Sequence, residues 1–453
     1  MSTRVHLVGI GGAGMSAIAR VLHERGDVVT GSDRTMSPYA RALEAAGVQV
    51  VLGHAGENVV GADMVIATSA VPDTNVELET ARSMGIPVLR RNQFLPQLMQ
   101  GRREVAVAGT HGKTTTSGMI AWLLDQAGLA PGFIVGGMLG NFGSNARLGL
   151  GQAFVIEADE YDRAFLGLTP NVAVITNLEH DHPDCYPTLQ DVRAAFITFV
   201  NQVQDLLVVC LDDPGAASLH RDGLPRLTYG THTEADWRAE EIRPNPAGGM
   251  DFLVLRRGHL LGLARNRLPG EHNVRNSLAA LAVADFMGVS FSDARKALTE
   301  YSGAGRRFEV VGETSGIVVI DDYAHHPTEI MATLAAAKTR YPGKQVWAIF
   351  QPHTYSRVKT LRAAYSHAFG DADHVLVTEI FAAREEPDEN VTGAWLADQL
   401  DHADARHVPH YPDLVNLLVQ EVQADSVVVI LSAGDANQVA QEYLSELGKH
   451  EGG

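Results

Sequence analysis

Residues 109–116 read Gly-Thr-His-Gly-Lys-Thr-Thr-Thr and follow the apolar run Val105-Ala106-Val107-Ala108. A short strand, a glycine turn and a helix in this order make a phosphate-gripping loop. The turn from Gly109 through Thr110 to Gly112 exposes backbone N–H groups, and the helix N-terminus adds partial positive charge. Lys113 can reach terminal phosphates, the Thr114 hydroxyl can ligate Mg²⁺, and Thr115 continues the polar first turn. The strict pattern G-x-x-x-x-G-K-[ST] needs glycine at 107, where this chain has Val107. The loop is therefore a shortened variant.

Carboxylates and histidines follow two later strands. Glu157-Ala158-Asp159-Glu160-Tyr161-Asp162 comes after Phe154-Val155-Ile156. Acidic groups at the C-terminal end of a parallel strand point into the crevice where such sheets bind ligands. One of them would complete the Mg²⁺ shell begun by Thr114, because Mg²⁺ takes hard oxygen ligands. Asn177-Leu178-Glu179-His180-Asp181-His182-Pro183-Asp184 closes the next strand. Two histidines are too few for a zinc site on their own. A single histidine serving a second Mg²⁺ or a phosphate fits the neighbouring loop better. Asn273 and Asn276 are three apart at the start of an apolar helix and share one face. That pair suits adenine or phosphate contacts, although capping would account for one of them. Asp321-Asp322-Tyr323-Ala324-His325-His326-Pro327 and Gln351-Pro352-His353-Thr354-Tyr355-Ser356-Arg357 end two further strands, again at crevice positions.

Near the N-terminus, Gly9-Ile10-Gly11-Gly12-Ala13-Gly14 matches G-x-G-x-x-G between a strand and a helix, with Asp33 ending the next strand. This pattern seats a diphosphate on a helix N-terminus. By itself it admits a nicotinamide cofactor, and hence a dehydrogenase, as readily as a nucleotide-sugar diphosphate.

These residues need elements to hold them. Strands at Val5–Val8, Asp27–Thr30, Val48–Leu52, Met64–Ala67 and Pro87–Leu89 alternate with helical stretches, which predicts a parallel sheet covered on both faces. A second series starts at Glu104 and includes Val172–Thr176 and Leu206–Val209. Arg226–Tyr229, Asp251–Val254 and His259–Leu263 read as a small antiparallel insertion. A third series has strands at Ile317–Ile320, Val346–Phe350, Val375–Thr378 and Ser426–Leu431. The fold class expected is α/β in three domains: a Rossmann-like unit at 1–98, a central ATPase-like parallel sheet at 99–305, and a second Rossmann-like unit at 306–453.

The chain has 453 residues and a net charge of −18, which argues against a nucleic-acid or membrane-surface binder. Its two cysteines, Cys185 and Cys210, suggest no disulfide framework and a reducing cytoplasm. No apolar run approaches the ~20 residues that span a bilayer, and the N-terminus lacks a signal-peptide layout.

Taken in order, GIGGAGMS, GTHGKTTT, EADEYD, HNVRN, GRRFE, DDYAHHPTE and FQPHTYSR resemble the Mur ligases, which add amino acids to peptidoglycan precursors. The resemblance covers nearly the whole chain. It implies an N-terminal nucleotide-sugar domain, a central ATPase domain and a C-terminal domain that closes over both. It further implies ATP and Mg²⁺ as cofactors, with UDP-N-acetylmuramate and L-alanine as the substrates to be joined. Lys113 would then hold ATP phosphates, Thr114 and Glu157 the first Mg²⁺, and His182 the second. Asn273, Asn276 and one of Arg306 and Arg307, with Arg307 preferred, would contact ATP, supported by Asp322. Tyr323, His353 and Arg357 would shape the alanine site. Gly11, Gly12, Gly14, Asp33 and Ser69 would lie along the sugar nucleotide. Tyr161 departs from the family, where many members have serine. EADEYD also resembles the relatives that attach a whole tripeptide to the same sugar nucleotide, but Phe350-Gln351-Pro352-His353 favours single amino-acid addition. A cytoplasmic monomer or homodimer is expected.

Overall fold

The computed structural model describes residues 2–451. Three sheets follow one another along the chain. The first contains β1 (Arg4–Val8), β2 (Val28–Asp33), β3 (Gln49–Leu52), β4 (Met64–Ala67) and β5 (Val88–Arg90), in the spatial order β3-β2-β1-β4-β5. Every pairing in it is parallel. The order reverses at β1, and a crevice opens there beyond the strand ends. The glycine loop occupies it, leading into the Ala13–Glu24 helix.

The second sheet holds β6 (Arg103–Ala108), β7 (Gly132–Leu139), β8 (Ser144–Arg147), β9 (Ala153–Glu157), β10 (Val172–Ile175), β11 (Leu206–Cys210), β12 (Arg226–Gly230), β13 (Trp237–Pro244), β14 (Met250–Arg256) and β15 (His259–Arg265). Their order is β15-β14-β13-β12-β11-β10-β6-β9-β7-β8. β6 is central, parallel to β10 and β9, and its near-continuous apolar run is what a strand buried on both faces requires. The expected antiparallel insertion exists as β13–β15, with one correction. β12 pairs parallel with β11 and belongs to the main sheet. The meander is added to the sheet edge through a short parallel contact between β12 and β13. β13 and the β7–β8 hairpin were not read from the sequence.

The third sheet comprises β16 (Glu309–Thr314), β17 (Ile317–Asp322), β18 (Gln345–Gln351), β19 (His374–Val377), β20 (Ala405–His407) and β21 (Ser426–Ser432), ordered β16-β17-β21-β18-β19-β20. β16 is antiparallel to β17; the other pairings are parallel. Alternation along β17 sends Val318 and Ile320 into one apolar core and Ile317 and Val319 into another. By contrast, one continuous core joins residues of the first unit, such as Ile18 and Leu22, to residues of the second, such as Val107 and Phe133. Two units share an interior and the third has its own.

Candidate active site

The phosphate loop is shaped by its two glycines. Gly109 has φ +136° and Gly112 φ +79°, conformations that side chains rarely adopt. A Cβ on Gly109 would overlap the Thr176 hydroxyl, and one on Gly112 would lie 2.9 Å from Asn276 Oδ1. The strand end β10 then fixes the loop. The Thr110 N–H donates to the Asn177 carbonyl (3.1 Å), the His111 N–H to Asn177 Oδ1 (2.8 Å), and the Glu179 N–H to Thr110 Oγ1 (2.9 Å).

Lys113 opens the Lys113–Gln126 helix. Its ammonium donates to the Gly109 carbonyl (2.7 Å) and the Thr110 carbonyl (3.1 Å) and lies 2.8 Å from the Glu160 carboxylate. Burial would lower its pKa, but Glu160, Asp159 and Glu157 outweigh this and raise it, so the lysine stays charged. Thr114 is buried on the same turn, and a Cβ on Gly137 would lie 3.3 Å from its methyl. The Glu157 carboxylate, at the end of β9, accepts from the neighbouring Gly136 N–H (2.6 Å). His182 Nε2 lies 3.6 Å from Glu160 Oε1. The wall beside the phosphate loop thus combines hard carboxylate and hydroxyl oxygens with an imidazole. An anionic triphosphate could approach it only with a cation between, so this donor set fits a divalent ion of the Mg²⁺ type.

A cavity of about 320 Å³ lies between the second and third units. Gly112, Thr115, Asn273, Asn276, Arg307 and Asp322 line it. Asn276 Nδ2 donates to Asn273 Oδ1 (3.2 Å), which confirms the shared face. The choice between the arginines is geometric. Arg306 binds Asp321 (3.1 Å) and the carbonyls of Ser432 (2.6 Å) and Gly434 (3.2 Å), so it ties the third sheet together. Arg307 faces the cavity, 3.8 Å from Glu329. Tyr323 lies beneath both guanidiniums. Asp322 accepts the N–H groups of Phe308 and Ala324 (both 2.7 Å), and burial raises its pKa to about 6.

His353 and Arg357 come from the end of β18. Arg357 is buried and donates through Nε to Asp181 (2.7 Å) of the second unit. Burial opposes ionisation of Asp181, yet Arg357 holds that carboxyl well below its usual range. The same guanidinium touches His353 Nδ1 (2.9 Å) and approaches His182 Nδ1 (3.4 Å). Two of the alanine-site candidates, His353 and Arg357, therefore adjoin the Lys113 cluster through His182, whereas Tyr323 lies against Arg306 and Arg307.

On the other side of Glu157, a smaller cavity of about 150 Å³ is lined by Gly14, Arg91, Glu157 and Asp159. Arg91 pairs with Asp159 (3.0 Å). Ser69 lines an adjoining groove with Arg90 and Arg91. Gly11 donates its N–H to Asp33 Oδ2 (2.9 Å), and Gly12 caps the helix that follows. The glycine loop and the phosphate loop thus face opposite sides of one acidic wall. Sequence reasoning gives no role to Asp181, Glu160, Arg91 or Arg384, the last of which pairs with Asp184 at 2.5 Å. The first two lie in the acidic segments 177–184 and 157–162 that follow two strands. The two arginines carry no local signal.

Three models of one family match in sequence along the chain: the Mur ligase family catalytic domain over residues 4–103, the Mur ligase middle domain over 107–284, and the Mur ligase glutamate ligase domain over 306–434. The chain belongs to the Mur ligase family. Among its relatives, the UDP-N-acetylmuramate–L-alanine ligase of Salinibacter ruber is 45% identical, with 99% of this chain and 96% of that one covered. The enzyme of the same name from Geotalea daltonii is 42% identical, with 98% of each covered. The crystal structure of UDP-N-acetylmuramate-alanine ligase from Thermotoga maritima superposes with a TM-score of 0.83 at 30% identity over 99% of both chains. A murein peptide ligase from Psychrobacter arcticus also superposes over 99% of both chains, with a TM-score of 0.73 at 28% identity.

Proposed function

We propose that this protein joins L-alanine to the lactyl carboxylate of UDP-N-acetylmuramate, using ATP and Mg²⁺, in the cytoplasmic synthesis of peptidoglycan precursor. The observation that carries this reading is the acidic wall Glu157–Glu160. The glycine-loop cavity lies on one side of it and Lys113 on the other. A carboxylate entering past Gly14 and Arg91 would meet a terminal phosphate held at Lys113. The full-length relatives named for this reaction support the same choice.

An acid and an amine condense too slowly in water, so the acid must first be activated. The lactyl carboxylate attacks the γ-phosphate of ATP, giving an acyl phosphate and ADP. The alanine amine then attacks the acyl carbon, and phosphate leaves. One Mg²⁺ held by Thr114 and Glu157 and a second held by His182 would supply charge neutralisation for the transferring group. Lys113 leaves Glu160 to contact the same oxygens, which is the dominant need in phosphoryl transfer. Arg307, Asn273 and Asn276 would hold the nucleotide, with Asp322 supporting that wall. Tyr323, His353 and Arg357 would place the alanine. Gly11, Gly12, Gly14, Asp33 and Ser69 would bind the sugar nucleotide. The third unit excludes water from the intermediate when it is closed. These roles are spread over three domains, which we place at 1–98, 99–305 and 306–453.

Phosphate release measured with each substrate omitted in turn tests the reading. Release should require ATP, UDP-N-acetylmuramate and L-alanine together; equal release without the sugar nucleotide would overturn it. A tripeptide offered in place of alanine, with the product read by mass, separates this activity from tripeptide recycling.

A further inference from the structure

Glu329 lies on the wall of the larger cavity, where the second and third units meet, with its side chain 13% exposed. It sits in the first turn of the Pro327–Arg340 helix, and its two oxygens face different ways. Oε2 accepts the N–H groups of His325 (3.2 Å) and His326 (3.4 Å) and lies 3.4 Å from His325 Nδ1. These bonds close a capping box at the helix start. Oε1 takes no part in the cap. It lies 3.2 Å from Nδ1 of His111, in the phosphate loop, and 3.8 Å from Arg307.

His111 stands between two acids. Glu179 Oε2 lies 3.5 Å from its Nε2, and 3.6 Å from His326 Nδ1. Burial opposes a charge on His111, but Glu329 and Glu179 outweigh it and raise its pKa to about 10. The phosphate loop therefore carries an imidazolium two residues from Lys113. On the nucleotide side, Glu329 steadies one cation from each of two units. On its other side it holds the His325 turn. His325 Nδ1 donates to the Tyr323 carbonyl (2.9 Å), and its ring centroid lies 5.6 Å from that of His353. Tyr323 and His353 are both alanine-site candidates.

We propose that Glu329 is a positioning residue that links the nucleotide and amino-acid sites, setting His111 and Arg307 through Oε1 and the His325 turn through Oε2. The amino-acid half rests on the ligase reading; the nucleotide half rests only on phosphate binding at the loop. The two oxygens make the role separable. A glutamine side chain has one acceptor oxygen and two donors. In Glu329→Gln the helix cap claims the oxygen, and the amide nitrogen is turned toward His111 and Arg307, which are themselves donors. The nucleotide side is then disturbed while the cap is kept. Glu329→Ala removes both oxygens and disturbs both sides.

Calorimetric binding of a non-hydrolysable ATP analogue with Mg²⁺ to the full chain, beside steady-state kinetics, tests this. In Glu329→Gln the analogue should bind about tenfold more weakly, the scale of one lost charge-assisted contact. The KM for ATP should rise alike, with the KM values for L-alanine and the sugar nucleotide within about twofold of the parent. In Glu329→Ala the KM for L-alanine should rise as well, and that for the sugar nucleotide should not. Thermal melts accompany both variants; if Glu329→Ala fails to fold, the Glu329→Gln split decides. Unchanged analogue binding in folded Glu329→Gln would overturn the proposal. Tighter binding would overturn it too, by showing that the carboxylate competes with phosphate. An equal rise in all three KM values, or an unchanged KM for L-alanine in folded Glu329→Ala, would also overturn it. A parent chain that forms no amide from alanine would defeat the ligase reading, and the analogue arm would still decide the role of Glu329.

Discussion

Lys113 and Glu160 are ion-paired at 2.8 Å beneath the phosphate loop, with the ammonium also held by the carbonyls of Gly109 and Thr110. The lysine that should grip a phosphate is thus satisfied by the protein's own oxygens. A phosphate held at Lys113 would have to displace Glu160, and a cation arriving with it would compensate the carboxylate left behind.

Lys113→Ala should therefore lower turnover by about 10²–10³-fold or more, the scale of losing one electrostatic stabiliser. It should also destabilise the fold, because Glu160 loses its partner in a buried setting. The double variant Lys113→Ala/Glu160→Gln should recover melting temperature without recovering activity. Steady-state kinetics and thermal melts read the two effects separately. Activity within a few-fold of the parent would show that the loop does not hold the reacting phosphate.

Arg306 and Arg307 should behave oppositely although they are adjacent. Arg306→Met removes hydrogen bonds to Asp321, Ser432 and Gly434 and should cost about 1–3 kcal/mol of stability. Arg307→Met should leave stability nearly unchanged and raise the KM for ATP. Denaturant titration beside ATP kinetics distinguishes them; equal stability losses would contradict the assignment.

The Arg357–Asp181 pair joins two units and is almost fully buried. Breaking one partner of such a pair costs about 3–5 kcal/mol. Asp181→Asn should show this in a chemical melt and should raise the KM for alanine more than that for the sugar nucleotide, since Arg357 also supports His353. A uniform rise in all three KM values would argue for a purely structural pair.

Glu104, at the start of β6, is partly buried, and that burial raises its carboxyl to about 7 from an ordinary 4.5. The folded state therefore holds a proton that the unfolded state releases. The contribution is fully present below pH 4.5 and is lost as pH rises through 7. Discounted for its partial exposure, it amounts to about 1–2 kcal/mol. Glu104→Gln should flatten the fall in stability between pH 4.5 and 7 in urea titrations; an unchanged slope would rule the group out.

What could be read in the sequence was local. The phosphate loop, the acidic strand end at Glu157 and the Asn273/Asn276 face each lie within a few consecutive residues, where backbone geometry follows from residue type. The strands β1, β4 and β6 were legible for the same reason. Short edge strands such as β8 and β20 were not, because neighbours supply their pairing and their own pattern carries little signal. The facing of Arg306 and Arg307 was also hidden. Two adjacent arginines look alike until Asp321 and the carbonyls of Ser432 and Gly434 claim one of them. The pairing of Glu179 with His111 and His326 depends on the third unit docking against the second, which no local pattern encodes.

The division of the apolar cores has a thermodynamic consequence. The first two units share an interior, so they are bound to move together. The third unit meets them through Arg357–Asp181, Arg384–Asp184 at 2.5 Å and Thr328–Glu179 at 2.6 Å, which are ionic and hydrogen-bonded contacts. Parting that seam exchanges these contacts for hydration and leaves each interior dry. Heat capacity tracks apolar exposure, so opening and shutting should change it little in calorimetry. A motion of the third unit that admitted substrate would then be nearly decoupled from the forces that keep each unit folded.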